Sequence, residues 1–579
     1  MKCIARQGLL LCLGLFFFIA QGYAQATRTV DNHTMLLYNR ANIIPFKQLD
    51  ALKIAVVTPR KASYPSFTYM MGRYAAFLET DFANYTASTK FSNTIILAGK
   101  TSELTADILL KARQSASIGK QVIVCTFVET PGDVSLQSPR FGGQLTELVS
   151  FGSGVVVQEN MAMSLFGGMA ITQGLAVNRT TCTRMQYANI NRAAWDITAM
   201  TKQIDQIAAE AIRERATPGM VVMAIKSNQV IFEKAYGYHT YEHRIPTRLD
   251  DLFDLASVSK IAGTTPVIMH LHELGKIDLE KTIGDYLWES KETNKSAITL
   301  RSVLLHEAGF IPYIPFYREL KDGDLQSYPS TTHQVKIADN VYLLTDYYRN
   351  VMWPTMLKSS VKPVGNYVYS DISMYVMKEI AEQVSSTPMD AYVEHWLYKP
   401  IGMKTAGYNP RNRFAKNRIV PTELDTAFRK VLLEGYVHDQ GAAMAGGVAG
   451  HAGLFATAND LAIYGQLLLN RGEYGGVRYF QGETVDLFTS RQSKKSRRGL
   501  GFDRYDPNST SGYPSKLANS SVYGHTGYTG TCIWIDPQNQ LTYIFLSNRV
   551  HPQVTSKLMD LNIRSRIQDV IYETILTKQ

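Results

Sequence analysis

The sequence predicts two unlike folded parts within its 579 residues. The first is an α/β sandwich. After a change of pattern between residues 185 and 200 comes an α+β domain with an antiparallel sheet and a helical subdomain. Three observations predict this. Before residue 185, short apolar strand-like runs alternate with helical stretches, the pattern of a largely parallel sheet covered by helices. After residue 200, a helical stretch leads into two strand candidates joined at Ser227-Asn228, a hairpin signal. The last third returns to strand, with Cys532 to Ile535 and Leu541 to Ser547 flanking the turn Asp536-Pro537-Gln538-Asn539.

In chain order, Lys2 and Arg6, an apolar run from Leu9 to Ala20, and the small residues Gly22 and Ala24 read as a cleavable secretory leader over residues 1–24. The apolar run is shorter than the roughly 20 residues that span a bilayer. Leu10 and Leu11 before Cys12 are not the small residues that lipid attachment needs. A secreted or periplasmic protein is therefore expected. Residues 25–190 carry strand candidates at Lys53 to Thr58, Thr94 to Ala98, Gln121 to Phe127 and Gly154 to Val157, and a helix candidate at Leu104 to Ala116. Residues 191–579 open with a helix around Met200 to Arg213, followed by strands Gly219 to Lys226 and Gln229 to Tyr238. From Ser257 onward Ile261, Val267, Ile268, Leu271 and Leu274 recur at helical spacing until Gly275. Pro312 to Trp353 reads as long and irregular, Asn366 to Val368 as strand, and Ile372 to Ala381 as helix.

With 45% hydrophobic residues the chain can bury substantial cores without staples. Beyond the leader, Cys125, Cys182 and Cys532 are odd in number and widely spaced, which implies neither a disulfide framework nor a metal cluster. The formal charge of +10 is spread along the chain. Its one dense cluster, Arg491, Lys494, Lys495, Arg497 and Arg498, reads as a solvated loop, and no nucleic-acid motif accompanies it.

The spacing Ser-x-x-Lys occurs at Ser117/Lys120, Ser257/Lys260 and Ser359/Lys362. Ser257 stands apart because the turn-like Asp254-Leu255-Ala256 precedes it and an apolar helix follows. At a helix N-terminus Ser257 and Lys260 share a face. A serine hydroxyl needs an adjacent base to become a nucleophile, and Lys260 would serve if neighbouring cations kept it neutral. Downstream, Tyr369 is a candidate general base toward Ser257 and then toward water. Asp371 would position Lys260 or accept a substrate amide hydrogen bond. Near the C-terminus, His525 and Thr526 on an edge strand would meet the substrate main chain or a carboxylate, and Gly527 would permit close backbone approach. The N–H groups of Ser257 and Tyr528 would form an oxyanion hole. His438 falls in a substrate-side loop with Asp439, and His451 reads as a loop brace. Around these and His306 no metal-type spacing is present, so neither metal nor other cofactor is expected.

Ser257, Lys260, Tyr369 and His525-Thr526-Gly527 occur with Leu304 to Phe310 (LLHEAGF), Gly446 to Thr457 (GGVAGHAGLFAT), Asp460-Leu461-Ala462 and Gly499-Leu500-Gly501-Phe502. In this order they resemble the class C β-lactamase family in the broad sense, over about residues 200 to 575. That family includes D-alanyl-D-alanine peptidases, family VIII-type esterases and N-acetylmuramoyl-L-alanine amidases. The resemblance implies a β-lactamase-like (DD-peptidase-like) fold, Ser257 as acylated nucleophile, Lys260 and Tyr369 as the proton-transfer pair, and His525 and Thr526 as edge-strand contacts. Two positions depart from the family's β-lactamases, which usually have Asn at Asp371 and Lys at His525. Histidine would make attraction for a carboxylate pH dependent near 6.5, which favours amidase, peptidase or esterase chemistry over antibiotic hydrolysis.

In the first part, Leu36 to Phe46 (LLYNRANIIPF) leading into Lys53 to Thr58, and Met163 to Val177 (MSLFGGMAITQGLAV), resemble the C-terminal α/β sandwich of glycoside hydrolase family 3. That family's catalytic barrel has no counterpart here. Glycosidase activity is not expected, and a scaffold, docking or sugar-contacting role is, with a separate glycosidase as a candidate partner. Together these readings predict an exported serine hydrolase that acts through an acyl-enzyme on cell-wall peptides or muropeptides, in association with peptidoglycan. A small-ester hydrolase and a β-lactamase are the alternative enzymes, and a non-catalytic cell-wall-binding protein is the alternative of another class.

Overall fold

The computed structural model describes residues 34–130, 132, 141, 143–172, 179–187, 195–509 and 512–577. The leader-like segment, the end of the Met163 to Val177 motif and the expected junction near residue 190 lie outside the described residues. The chain divides into two compact units, Met1–Asn189 and Ile190–Gln579.

The first unit contains β1 (Met35–Tyr38), β2 (Ile54–Thr58), α1 (Pro65–Tyr74), β3 (Phe77–Asp81), β4 (Thr94–Lys100), α2 (Ala106–Ser117), β5 (Gln121–Val128), β6 (Thr146–Phe151) and α3 (Val155–Phe166). Its sheet runs β1-β6-β5-β4-β2-β3, parallel except for β1 against β6. Ile54 to Val57, Ile95 to Ala98 and Val122 to Val128 are buried throughout, as befits parallel strands covered on both faces. One expectation is corrected. Gly154 to Val157 is not a strand: Gly154 caps α3, and the apolar run continues to Phe166 as a helix. The strand lies earlier, at Thr146–Phe151, where Thr146, Glu147 and Ser150 are buried polar residues that break the apolar run by which a covered strand is recognised.

The second unit contains α4 (Ile197–Arg213), β7 (Gly219–Lys226), β8 (Gln229–Gly237), β9 (Phe253–Asp254), α5 (Thr265–Glu273), α6 (Ile372–Ser385), α7 (Gln440–Met444), β10 (Leu454–Ala456), α8 (Ala458–Leu469), β11 (Asp503–Arg504), β12 (Tyr523–Thr526), β13 (Cys532–Asp536), β14 (Leu541–Ser547) and α9 (Ile563–Leu576). The main sheet runs β11-β12-β13-β14-β7-β8 and is antiparallel throughout. Ser227 and Asn228, at φ +49° and +70°, close the β7–β8 hairpin in the sense that matches strand twist. On α4, Met200, Ile204, Ile207, Ala208 and Ala211 form one buried stripe that packs with α9 against Val222, Trp534, Tyr543 and Phe545. Each large member removes apolar surface worth about 1.5–3 kcal/mol. The helix α8 packs against β7, β13 and β14. Pro312 to Trp353 is less irregular than expected, since Leu325–Gln326, Val335–Ala338 and Val341–Leu343 form a small antiparallel sheet. Among the described residues no helix is long and apolar enough to cross a membrane.

Candidate active site

Ser257 sits between β9 and a helix whose first turn is wide, with π-type backbone over Lys260–Thr264 before α5. The turn before it is tight. Ala256 has φ +45°, held by its N–H on Asp254 Oδ1 at 2.9 Å, while Asp254 Oδ2 accepts from His438 N at 2.6 Å. Every residue from 251 to 269 is buried except Ser257, which is half-buried. The chain thus presents one hydroxyl from an otherwise sealed segment.

Lys260 is fully buried, and its three N–H donors all find acceptors: Ser257 Oγ at 2.8 Å, Asp371 Oδ1 at 2.8 Å and the His451 carbonyl oxygen at 3.3 Å. Its Nζ lies 4.8 Å from the centroid of the Tyr369 ring. Burial alone pushes the Lys260 pKa down, but Asp371 and Tyr369 outweigh it and hold the group above the ordinary lysine value. The expectation of a neutral Lys260 among cations is therefore corrected: its nearest charge is an anion, and it stands as an ammonium. The other two Ser-x-x-Lys tetrads do not assemble. Ser117 Oγ bonds Gln114 O while Lys120 Nζ reaches Thr89 O, and Ser359 Oγ bonds Met356 O while Lys362 is exposed.

Tyr369 is carried not by a strand, as expected for Asn366 to Val368, but by an irregular segment. Its backbone bonds go to a facing loop: Gly365 N to Glu307 O, Val368 N to His306 O and Asp371 N to Pro312 O, each at 2.8 Å. With these groups satisfied by a loop there is no sheet to join. His306 underlies the tyrosine, ring centroids 4.7 Å apart. Its Nδ1 accepts from Ser370 N at 3.2 Å, which puts the ring proton on Nε2. Burial, reinforced by Arg498 and Lys260, holds His306 neutral, far below the usual histidine pKa.

On the other wall, β11 covers β12 only at Tyr523 and Gly524, which leaves the strand edge open at His525 and Thr526. After Gly527 the chain is fastened to the strand before Ser257 by Thr529 Oγ1 on Asp254 O at 2.7 Å and Thr531 Oγ1 on Leu255 O at 3.0 Å. A Cβ on Gly527 would overlap the Leu255 carbonyl oxygen and Thr531 Oγ1, so glycine is required for this approach. The N–H groups of Ser257 and Tyr528 have no acceptor among the described residues. His438, expected at the substrate, stands beside Tyr528. It stacks on that ring at 5.3 Å and pairs with Glu423 at 3.1 Å.

Two expectations fail together at Arg498. The basic run is solvated only at Arg491, Lys494 and Lys495. Arg498 is 4% exposed, with Nη1 3.3 Å from His525 Nε2, Nη2 2.9 Å from the Tyr367 hydroxyl and its guanidinium carbon 5.3 Å from the Tyr369 ring centroid. Asp503 explains its burial. That carboxylate faces Arg498 at 3.8 Å and binds Arg497 through two bonds of 2.7 and 3.0 Å. The two guanidinium groups outweigh burial and keep Asp503 ionised. His525, by contrast, is 3% exposed. Its Nδ1–H donates to Thr526 O at 2.7 Å and its Nε2 faces Arg498. Burial, then Arg498 and Lys260, push its pKa down to about 3. The charge at this wall is thus a permanent guanidinium, not a histidine titrating near 6.5. The argument against β-lactams that rested on a weak, pH-dependent cation falls with it. Sequence reasoning missed Arg498, although its place directly before Gly499-Leu500-Gly501-Phe502 and five residues ahead of Asp503 was the available signal.

Asp439 caps α7 through Ala442 N at 2.7 Å and pairs with His451 Nε2 at 2.9 Å, so His451 braces its loop as expected. Asp371, Asp439 and His451 also bring ligand-type atoms within 4.8 Å of one another. Convergence that sequence spacing did not show therefore exists, but the Lys260 ammonium already sits on Asp371 and opposes a metal ion there.

Residues 204–567 match the family model described as Beta-lactamase. Two curated relatives, both named "Putative D-alanyl-D-alanine carboxypeptidase", come from Salmonella agona (strain SL483) and Salmonella typhi. Each is 31% identical over 374 residues, spanning 60% of this chain and 82% of the relative. Among solved structures, a penicillin-binding protein homologue from Caulobacter crescentus is similar at 16% identity and TM-score 0.47, over 65% of this chain and 97% of that one. A family match over this much of the sequence decides membership: the protein belongs to the beta-lactamase family and is a serine hydrolase.

Proposed function

We propose that Ser257 is the nucleophile of an exported amidase or peptidase that cleaves cell-wall peptides or muropeptides bearing a free carboxylate. The observation that carries this reading is the buried Lys260 ammonium, 2.8 Å from both Ser257 Oγ and Asp371 and beside Tyr369. Ser257 Oγ attacks the scissile carbonyl and Tyr369 takes its proton. It does so as a phenolate, whose negative charge Lys260 stabilises before the transfer and which the proton converts to the neutral phenol. The N–H groups of Ser257 and Tyr528 receive the oxyanion. Tyr369 then protonates the leaving amine, and in the second half-reaction it deprotonates the water that releases the acyl group. Arg498 and Thr526, at the open edge of β12, bind the substrate carboxylate, with His525 as a neutral spacer. Export is supported by the leader-like residues 1–24. The first unit, similar in sequence to the glycoside hydrolase family 3 sandwich, is a non-catalytic companion that holds the enzyme near peptidoglycan.

The test is kcat/KM for acyl dipeptides with a free C-terminal carboxylate against their methyl esters. The free acids are expected to be preferred in the wild type. Arg498→Gln, which leaves Asp503 paired with Arg497, should lower kcat/KM for the acids by about 10–100-fold, the loss of one charge-assisted hydrogen bond. It should leave the esters close to wild type. Equal turnover of both series, unmoved by Arg498→Gln, would assign the site to small esters instead.

A further inference from the structure

Beside the Lys260–Asp371 pair lies a cleft of about 40 Å³, lined by Asp371, Asp439, His451, Tyr375, Tyr313 and Tyr317, among others. Two polar groups of its lining residues lack partners among the described residues, although both residues are more than nine-tenths buried: the Tyr375 hydroxyl and His451 Nδ1. His451 Nε2 faces the Asp439 carboxylate at 2.9 Å, the tautomer with its proton on Nε2, whose Nδ1 lone pair is an acceptor. The Tyr375 hydroxyl and Asp439 Oδ1 converge over Gly441. A Cβ built there would lie 2.8 Å from the former and 3.4 Å from the latter. Lys260 sits on Asp371, while Asp439 interacts with His451, His438 and the buried Arg429.

Buried acceptors that make no bond cost about 1–3 kcal/mol each, and here they surround one small space. That space holds roughly three water-sized spheres, enough for a small cationic head but not for a ring. Carboxylate, imidazole nitrogen and phenol offer three acceptors to match the three N–H donors of a primary ammonium, and the tyrosine faces suit its alkyl stem and charge. A divalent metal fits worse, because Asp371 already carries the Lys260 ammonium at 2.8 Å.

We propose that this cleft is a subsite for a primary ammonium group borne by the substrate close to its scissile carbonyl. The inference rests on Ser257 as the nucleophile, since Asp371 is separated from Ser257 Oγ only by the Lys260 head group. Together with Arg498 it makes the substrate a short zwitterionic peptide, amine at one end of the site and carboxylate at the other.

Two measurements separate the failure of this subsite from the failure of the hydrolase reading. In the first, saturation-transfer NMR of the full-length protein with n-butylammonium and with n-butanol reads binding without any turnover. Transfer to the amine and not the alcohol is expected. It should be lost in Asp439→Asn, where asparagine keeps the helix cap, and in Gly441→Ala, where a methyl group fills the space. Equal transfer to both ligands, or signals unchanged in both variants, would overturn the proposal. Stoichiometric zinc binding that displaces the amine would also overturn it, in favour of a metal site. In the second, the kcat/KM ratio of 4-aminobutyryl to pentanoyl p-nitrophenyl esters is expected to exceed ten in the wild type and to fall toward one in Asp439→Asn. A ratio that does not move would sink the subsite while leaving Ser257 chemistry intact.

Discussion

Lys260 is surrounded so as to remain a cation, and this decides what the other residues must do. Because its pKa lies above the ordinary 10.5, the stabilisation it draws from Asp371 is fully present at and below that value. It is lost only as pH rises through the raised folded value. In Asp371→Asn only Tyr369 still opposes burial, and the ammonium is lost at lower pH. The alkaline limb of the kcat/KM–pH profile should then move to lower pH. An unmoved limb would show that Asp371 does not set the Lys260 charge. The Ser-x-x-Lys spacing and the family resemblance point to Ser257, Lys260, Tyr369 and Asp371, and the structure places these side chains together. The charge states were not legible in the sequence. Whether a buried lysine faces an anion or a cation depends on Asp371, 111 residues away. Whether an arginine in a basic run is solvated depends on Asp503 folding back beneath it. Neither relation leaves a local pattern in the sequence.

At the scale of elements, the site is a seam between β12 and the β9–α5 connection, closed by short side-chain to backbone bonds rather than by sheet pairing. Thr529 and Thr531 hold that seam, and Gly527 permits it. Gly527→Ala forces Leu255 and Thr531 apart at a cost of about 1–3 kcal/mol. It should also move the Tyr528 N–H from its place opposite the Ser257 N–H, lowering acylation about a hundredfold. The checks are urea unfolding and single-turnover acylation. A stable variant with normal acylation would remove Tyr528 from the oxyanion hole. Strands and helices with strong periodicity, such as α4, β7 and β14, were read to within a few residues. Thr146–Phe151 was missed because its buried threonine, glutamate and serine satisfy themselves through tertiary partners. The segment before Tyr369 was misread because its hydrogen bonds go to a loop.

On the scale of the whole molecule, each unit has its own sheet and its own buried cluster, Ala55, Ile95 and Val124 in the first and Met200, Phe545 and Ile567 in the second. Every residue assigned to the chemistry belongs to the second. Residues 195–579 expressed alone should therefore fold and hydrolyse small activated esters at rates within about twofold of the full chain, since this unit has its own sheet and buried cluster. Loss of that activity would make the first unit part of the catalytic fold. A parallel sheet and an antiparallel one distribute apolar residues differently, which accounts for the change of sequence pattern near residue 190.

The central claim, an activated Ser257, is tested most directly by intact mass spectrometry of the full-length protein after reaction with a fluorophosphonate. One covalent adduct on the wild type and none on Ser257→Ala is the predicted result. An adduct that persists in Ser257→Ala would move the nucleophile elsewhere, and no adduct on either protein between pH 6 and 10 would contradict an activated serine altogether.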